Sequence, residues 1–193
     1  SGTHTFSGSL RNGDGTGTDG TLALTKTGAG AQVLSGANTY SGATSINEGM
    51  LQISTGTTTG TGAVSVASGS TILGTGTIKG SSFTASSGAT IHAGDGIAQE
   101  NYGTLTFMPV SGSGAFDFQS GSNIVLGIHP GGVSDRLDFV GTGTNTLFLN
   151  GNLTVSHASF TPTTATVFNL LDWSGLSAAP TFASRYTFSS ILF

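Results

Sequence analysis

Short runs in which apolar side chains alternate with small polar ones recur along almost the whole chain. Residues 64–66 (VSV), 116–118 (FDF) and 153–155 (LTV) are typical of these runs. Alternation with a period of two places the apolar side chains on one face of a β-strand, and the period of 3.6 that marks an amphipathic helix is nearly absent. The hydrophobic pattern therefore predicts an all-β chain.

Tight corners separate the predicted strands. Glycine-rich clusters such as Gly-Thr-Gly, Ser-Gly-Ser and Pro-Gly-Gly lie between the apolar runs. They supply the positive φ angles and the local side-chain hydrogen bonds that sharp turns need. The apolar runs follow one another at intervals of roughly ten residues, a spacing typical of a β-sandwich, a barrel or a β-solenoid.

Three features favour a β-solenoid among these architectures. Only 7% of the residues are charged, against about 25% in ordinary soluble proteins, so a charged outer face of the usual kind cannot be built. Abundant Thr and Ser can form ladders between stacked strands, and the glycine corners recur without long loops. We predict about eight coils of roughly 20–25 residues. A β-sandwich or jelly roll is the alternative, and Asn150-Gly151 is a candidate turn for a local hairpin.

Aromatic residues gather in the last third of the chain. They are Phe139, Phe148, Phe160, Phe168, Trp173, Phe182, Tyr186, Phe188 and Phe193. Solenoids need a terminal layer that closes the stack, and large side chains suit that role, so we predict an aromatic-rich C-terminal cap. The predicted organisation is a Gly-rich segment at 1–20, a solenoid domain at 21–175, and a capping or inter-subunit segment at 176–193.

Residues 22–51 carry the most specific pattern in the chain. Residues 24–28 read LTKTG, residues 34–42 read LSGANTYSG, and residues 46–51 read INEGML. This order of Gly, Asn and Tyr resembles the autotransporter-associated β-strand repeat of large bacterial surface proteins. The resemblance implies a right-handed parallel β-helix exposed outside the cell. Because a single full copy is present and residues 1–3 lack the features of a signal peptide, we expect a processed form or a fragment of a longer protein.

Composition excludes several classes of function. The formal net charge is −4 and the chain has no cysteine, which excludes disulfides and thiolate metal sites. Nucleic-acid binding requires clustered cations, whereas the five in this chain are dispersed. They are Arg11, Lys26, Lys79, Arg136 and Arg185. No apolar run approaches the ~20 residues of a membrane-spanning helix, so we predict no nucleic-acid partner and no membrane span.

The acidic residues do not suggest a catalytic pair. Enzymes that cleave polysaccharides need two or more carboxylates converging on one face. Asp135 and Asp138 flank Arg136, but their odd separation on a strand directs them to opposite faces. The nine carboxylates are Asp14, Asp19, Glu48, Asp95, Glu100, Asp117, Asp135, Asp138 and Asp172. We predict no catalytic residues.

Metal and sugar sites find equally little support. Asp14 and Asp19 lie in a stretch with a faint likeness to the calcium-binding β-roll repeat, but that motif works through stacked copies and only one is present. The histidines, which lack metal-ligand spacing, are expected at surface or corner positions. They are His4, His92, His129 and His157. Tyr40, Tyr102 and Trp173 are interpreted as packing residues rather than sugar platforms. We predict no cofactor and no metal.

These observations together predict a non-enzymatic, extracellular structural protein of a bacterial surface. Exposed strand edges at the ends of a solenoid template the addition of another strand, and low charge weakens repulsion between copies. We therefore expect head-to-tail self-association into a filament or surface layer, with residues 181–193 and the N-terminal segment as the joints. The alternative is an adhesin or glycan-binding passenger domain that contacts glycans or cell surfaces.

Overall fold

The computed structural model describes residues 2–13, 20–95, 102–110, 114–129, 132–141, 145–157 and 168–176. The named elements in these ranges are 18 β-strands, which confirms the all-β prediction. The strands are arranged in three sheets, called here sheets A, B and C. Successive strands along the chain do not pair with each other, with one exception described below.

The first seven strands alternate between sheets A and B, and from the eighth strand onward sheet C joins the rotation. Sheet A contains β1 (Thr3–Phe6), β3 (Ala31–Leu34), β5 (Met50–Ile53), β7 (Thr71–Gly74), β10 (Thr90–Ala93), β13 (Asn123–His129), β14 (Val133–Ser134) and β17 (Asn152–His157). Sheet B contains β2 (Leu24–Lys26), β4 (Thr44–Ile46), β6 (Val64–Val66), β9 (Phe83–Ala85), β12 (Ala115–Phe118) and β16 (Thr146–Leu149). Sheet C contains β8 (Thr77–Ile78), β11 (Thr104–Phe107), β15 (Arg136–Val140) and β18 (Leu171–Gly175).

The pairing within each sheet is that of a parallel β-solenoid. In sheet A, Ala31 pairs with Met50 and Met50 pairs with Thr71, each time in parallel. A chain that returns to the same sheet after passing through the other sheets forms one coil, and the coils stack through these ladders. The solenoid prediction is confirmed, and the sandwich or jelly-roll alternative is wrong. The right-handed sense of the coil stays a prediction.

The coils are not uniform in length, which corrects the expectation of roughly 20–25 residues throughout. Thr71 pairs with Thr90, a step of 19 residues, but Thr90 pairs with Asn123, a step of 33. The strands lengthen along the chain as well. Sheet C begins as the bridge between Thr58 and Thr77 and the two-residue β8, and it reaches five residues in β15.

A recurrent glycine corner joins sheet B to sheet A. After β6, the Ser70 N–H donates to the Ala67 carbonyl at 3.1 Å, and Gly69 between them has φ = 75°. This is the position that a type II turn reserves for glycine, because other residues are strained at positive φ. The corner after β9 repeats the arrangement, with Gly88 at φ = 82°. The two corners stack, since the Gly69 N–H donates to the Gly88 carbonyl at 3.0 Å.

The predicted hairpin at Asn150-Gly151 is wrong. The strands on either side, β16 and β17, pair in parallel with β12 and β13, so these two residues form a corner between sheets B and A. Between named strands, antiparallel pairing joins β13 to β14, where His129 pairs with Val133, and an isolated antiparallel bridge joins Gly74 to Gly94. The β13–β14 pairing lies between β13 of sheet A and β15 of sheet C, and the residues of β14 lengthen the coil that connects them.

The interior consists of columns of side chains that pair in register from coil to coil. One column runs through Ile46, Val66, Ala85 and Phe118. Five phenylalanines fill the later coils, and they are called here the Phe cluster: Phe83, Phe107, Phe116, Phe118 and Phe139. Phe107 stacks on Phe139 with ring centroids 5.1 Å apart and meets Phe83 edge-on at 4.8 Å. Such contacts are favourable beyond the area that they bury.

The aromatic residues of the last third do not share one environment. Phe139 lies in the interior, Phe148 is exposed on the outer face of β16, and Phe168 and Trp173 are half-buried. Phe160, Phe182, Tyr186, Phe188 and Phe193 lie outside the described residues, so the cap at 176–193 stays a prediction. At the other end, β1 falls within the segment 1–20 and already pairs with β3.

Candidate functional site

A buried carboxylate, Asp135, connects three parts of the chain. Its side chain precedes β15 and is only 3% exposed. Oδ1 accepts the Gly103 N–H at 2.9 Å, and Oδ2 accepts the Gly127 N–H at 2.7 Å. Burial raises the pKa of Asp135, and the two N–H groups oppose that rise by stabilising the charged form. Asp135 therefore ties the start of β11 to β13.

Two histidines and a tyrosine surround this carboxylate, and with it they are called here the Asp135 cluster. A Cβ atom added to Gly127 would lie 3.0 Å from both Asp135 Oδ2 and His129 Nε2, so both side chains lie over the glycine. Tyr102 covers His129, with ring centroids 5.1 Å apart. The charges of His92 and His129 both lower the pKa of Asp135.

His92 reaches the Asp135 cluster from β10. It pairs in register with Leu73 and Val125 on the outer face of sheet A, opposite to the core residue Ile91. Its Nδ1 atom is buried and has no hydrogen-bond partner among the described residues. Burial lowers the pKa of His92, and the nearby Asp135 charge partly offsets that effect.

The histidines come together through strand register rather than through spacing. His92 and His129 lie 37 positions apart, and pairing of β10 with β13 brings them to one corner. We expected surface or corner positions: His4 is exposed, whereas His129 at the end of β13 is only 8% exposed. The side chain of His157 lies outside the described residues. Sequence spacing carried no signal for this cluster.

Asp135 holds two backbone segments together through its carboxylate oxygens. Asp135 and His129 are almost fully buried, and both oxygens of Asp135 are occupied by backbone donors. Among the described residues, no group of three or more His, Cys, Asp or Glu side chains is placed to hold a metal ion.

The second charged group lies on the outer face of sheet C. Arg136 Nη2 is 3.6 Å from Asp138 Oδ2, and Asp138 pairs in register with Asp172 of β18. Burial raises the pKa of Asp138, Arg136 lowers it, and Asp172 raises it. Hydrogen bonds from Ser174 lower the pKa of Asp172. Asp138 thus has partners different from those of Asp135, in agreement with the opposite faces expected from their spacing.

A buried lysine organises the corner between β2 and the next coil. Lys26 Nζ donates to the carbonyl oxygens of Thr27, Gly28 and Glu48 at 2.9, 2.5 and 3.1 Å. These three bonds use all the donors that an ammonium group has. Glu48 Oε2 in turn accepts the Gly28 N–H at 2.9 Å. The Lys26 side chain points inward and continues the column of Ile46.

Tyr40 is a packing residue, as predicted. Its ring is fully buried, and its hydroxyl lies 2.6 Å from Thr44 Oγ1, which is also buried. The next coil passes directly over the ring, because a Cβ atom added to Gly60 would collide with Tyr40 Cδ2 and Cε2. Trp173 packs half-buried against the core, whereas the Tyr102 side chain is 50% exposed.

The other described carboxylates lie apart from the Asp135 cluster. Asp95 accepts the Thr75 hydroxyl at 3.0 Å, and Thr75 lies 2.7 Å from Thr55 in the coil before it, so these polar groups form a ladder on the outside. Asp117 faces outward on β12, in register with Thr84. Asp14, Asp19 and Glu100 lie outside the described residues, and the calcium interpretation at Asp14 and Asp19 is therefore not addressed by the fold.

Comparison with known families bears on the region that contains Lys26 and Tyr40. The family model described as the passenger-associated-transport-repeat matches residues 24–53. Residues 24–53 are a passenger repeat. This confirms the resemblance stated from the motifs, and the repeat indicates a passenger domain at a bacterial surface. No curated protein matches the chain.

The passenger repeat covers β2 to β5 and supplies one complete short coil. Its motif residues have structural partners: Lys26 and Glu48 close a corner, and Tyr40 and Thr44 pair inside. The described residues contain no helix with the length and hydrophobicity that a membrane crossing requires.

Proposed function

We propose that this chain is a non-enzymatic structural part of an autotransporter-type passenger domain, exposed outside the bacterial cell, and that its copies join head to tail into a filament or surface layer. The open edge of sheet A carries this proposal. Within the described residues, β1 pairs only with β3 and β17 pairs only with β13, so both outer strands of the long parallel ladder have a free side. Free strand edges accept further strands.

The backbone of β1 shows which groups are available for such a contact. Ala31 N–H donates to the Gly2 carbonyl and Ser35 N–H donates to the Phe6 carbonyl, both at 3.0 Å. Because successive residues of a strand direct their backbone groups to opposite sides, the odd-numbered residue Thr5 directs its N–H and carbonyl away from β3. A parallel strand from another copy can bond there without disturbing the β1–β3 ladder.

The remaining features support an end-to-end joint rather than a catalytic role. Joining the β17 edge of one copy to the β1 edge of the next is a heterologous contact, and heterologous contacts that do not close form filaments. A charged fraction of 7% leaves little repulsion between copies. The predicted joint at residues 181–193 lies outside the described residues, and the buried position of Asp135 and His129 supports a structural rather than an enzymatic role.

The test is a proline at the open side of β1. Thr5→Pro removes one outward N–H but none of the bonds to β3, and edge strands tolerate proline in that orientation. We expect the native protein to form polymers in light scattering and negative-stain electron microscopy, and we expect Thr5→Pro to reduce the polymer fraction about tenfold. Thr5→Val keeps the N–H and the shape, so it should assemble like the native protein. A monomeric native protein, or a Thr5→Pro variant that assembles normally, would contradict the joint.

The second candidate is an adhesin or glycan-binding passenger. The half-exposed ring of Tyr102 favours it, because exposed aromatic faces are suited to contact an apolar face of a ligand. Selective binding of the monomer to a glycan array, lost in Tyr102→Ala, would support this candidate. Polymer formation without such binding would support the structural role.

A further inference from the structure

We propose that Asp135, His92 and His129 form an acid-sensitive clasp, which ties the start of β11 to β13 at neutral pH and releases it when His92 becomes protonated. The clasp lies in the coils from β10 onward, and it does not depend on whether the chain forms filaments. It rests on the two backbone bonds of Asp135 and on the buried, unpaired nitrogen of His92.

Asp135 forms the link between the two segments of the clasp. Gly103 precedes β11 and Gly127 belongs to β13, so the carboxylate joins two segments that lie on different sheets. A carboxylate accepts hydrogen bonds with both oxygens, which suits two N–H donors at once. Gly127 itself leaves the space for this contact, because a side chain there would press on Asp135 and His129.

His92 supplies the sensitivity to acid. The neutral imidazole can leave Nδ1 without a hydrogen, but the protonated ring carries an N–H on both nitrogens. At Nδ1 that N–H would be buried without an acceptor among the described residues. The closed arrangement therefore resists protonation of His92, in agreement with its lowered pKa, whose first cause is burial.

The direction of the pH effect follows from the difference in proton affinity of His92 between the open and the closed arrangement. In an open arrangement His92 is solvated and takes up a proton near its ordinary pKa of about 6.5, whereas the closed arrangement takes it up only at lower pH. Stability of the clasp is thus complete above pH 6.5 and is lost as the pH falls below it. At pH 5.5 the open fraction can rise up to about tenfold, one pH unit being a factor of ten.

The groups around His92 also affect how the clasp responds to pH. The Asp135 charge acts on His92 directly, and the other titratable groups of the Asp135 cluster are His129 from β13, which acts on Asp135, and Tyr102 before β11, which stacks on His129. The adjacent Arg136 directs its guanidinium to Asp138. Asp135 acts in the opposite direction, because burial raises its pKa and acidification through that pKa favours the closed arrangement. Release on acidification therefore requires that the effect of His92 exceed that of Asp135 between pH 7.0 and 5.5.

Hydrogen exchange of the full chain tests the clasp. Deuterium uptake at the Gly103 and Gly127 amides is measured at pH 7.0 and 5.5 by mass spectrometry with single-amide fragmentation, after correction for the intrinsic exchange rate. We expect protection of both amides to fall up to about tenfold at pH 5.5, while the amide of Leu51 in β5 stays unchanged. In His92→Leu the fall should disappear, because Leu continues the row of Leu73 and Val125 and cannot be protonated.

Two further variants keep the outcome decisive. Thr90→Val lies two residues away on the same face of β10 and should retain the native response to pH. Asp135→Asn, whose NH₂ group cannot accept a hydrogen bond, should reduce protection of Gly103 or Gly127 at both pH values. Native protection that does not change between pH 7.0 and 5.5, or an equal fall in His92→Leu, would overturn the proposal.

Discussion

The solenoid contains two regions whose coils differ in length and in filling. Between β3 and β10 the coil repeats every 19–21 residues, and between β10 and β17 it repeats every 29–33. The narrow coils have mainly aliphatic interiors, whereas four of the five residues of the Phe cluster belong to the wide coils and the fifth, Phe83, lies in the last narrow coil. In register, Ala85 of the last narrow coil is followed by Phe118, and Ile78 by Phe107. At these positions the side chains are larger in the first wide coil, and in the next one Leu147 and Leu149 follow Phe116 and Phe118.

The comparison shows that the longer coils coincide with larger aromatic side chains in the interior. Protein interiors are packed as densely as organic crystals, so a wider coil lined with Ala or Val would leave a cavity. Large aromatic side chains fill that space in fewer positions than aliphatic ones. The narrow coils of the passenger repeat use a different device: they enclose polar groups, Lys26 and the Tyr40–Thr44 pair, whose hydrogen bonds fix one coil relative to the next.

The largest loss of stability is expected when an aromatic ring is removed from the interior of the wide coils. Phe118→Ala removes a fully buried ring that contacts Phe83, Phe107 and Phe139. Because the surrounding sheets can collapse only in part, we expect the free energy of unfolding in urea to fall by about 3–5 kcal/mol. The control is Phe148→Ala, which truncates an exposed phenylalanine on the outer face and should cost about 0.5 kcal/mol or less. Equal losses in the two variants would contradict the packing argument.

A smaller effect is expected from the polar corner of the passenger repeat. Lys26→Met keeps the length of the side chain but leaves the carbonyl oxygens of Thr27, Gly28 and Glu48 without their donor. Leaving buried polar groups unpaired costs roughly 1–3 kcal/mol, and we expect a loss of about 2 kcal/mol in urea unfolding.

Lys79→Met is the matched control for this corner. The Lys79 backbone N–H bonds to Thr59 Oγ1, and that bond survives the substitution because it does not involve the side chain. Its unfolding free energy should stay within about 0.5 kcal/mol of the native value. If Lys26→Met were as stable as Lys79→Met, the buried ammonium would not organise the corner.

The two regions also differ in how far the sequence predicts them. The strands, the glycine corners and the repeat at 24–53 were predictable, because alternation and turn chemistry are local properties. The wide coils were not, since the step from Thr90 to Asn123 depends on which distant strands pair. The same applies to the Asp135 cluster: His92, His129 and Asp135 come from separate strands and corners, and only the register of sheet A brings them together. The tyrosine at position 40 was interpreted correctly as packing, but its partner Thr44 was not identified.

The smallest loss of stability is expected at Tyr40, and it tests whether a buried polar pair stabilises the narrow coils. Tyr40→Phe keeps the ring beneath Gly60 but leaves Thr44 Oγ1 buried without its partner, so we expect a loss of about 1 kcal/mol in urea unfolding. Replacing both partners, as in Tyr40→Phe/Thr44→Val, removes the unpaired group and should restore most of that loss. The double variant is therefore predicted to be more stable than Tyr40→Phe alone. If it is instead less stable, the Thr44 hydroxyl contributes through a group other than Tyr40, and the Tyr40–Thr44 pair would not be the polar device that fixes this coil.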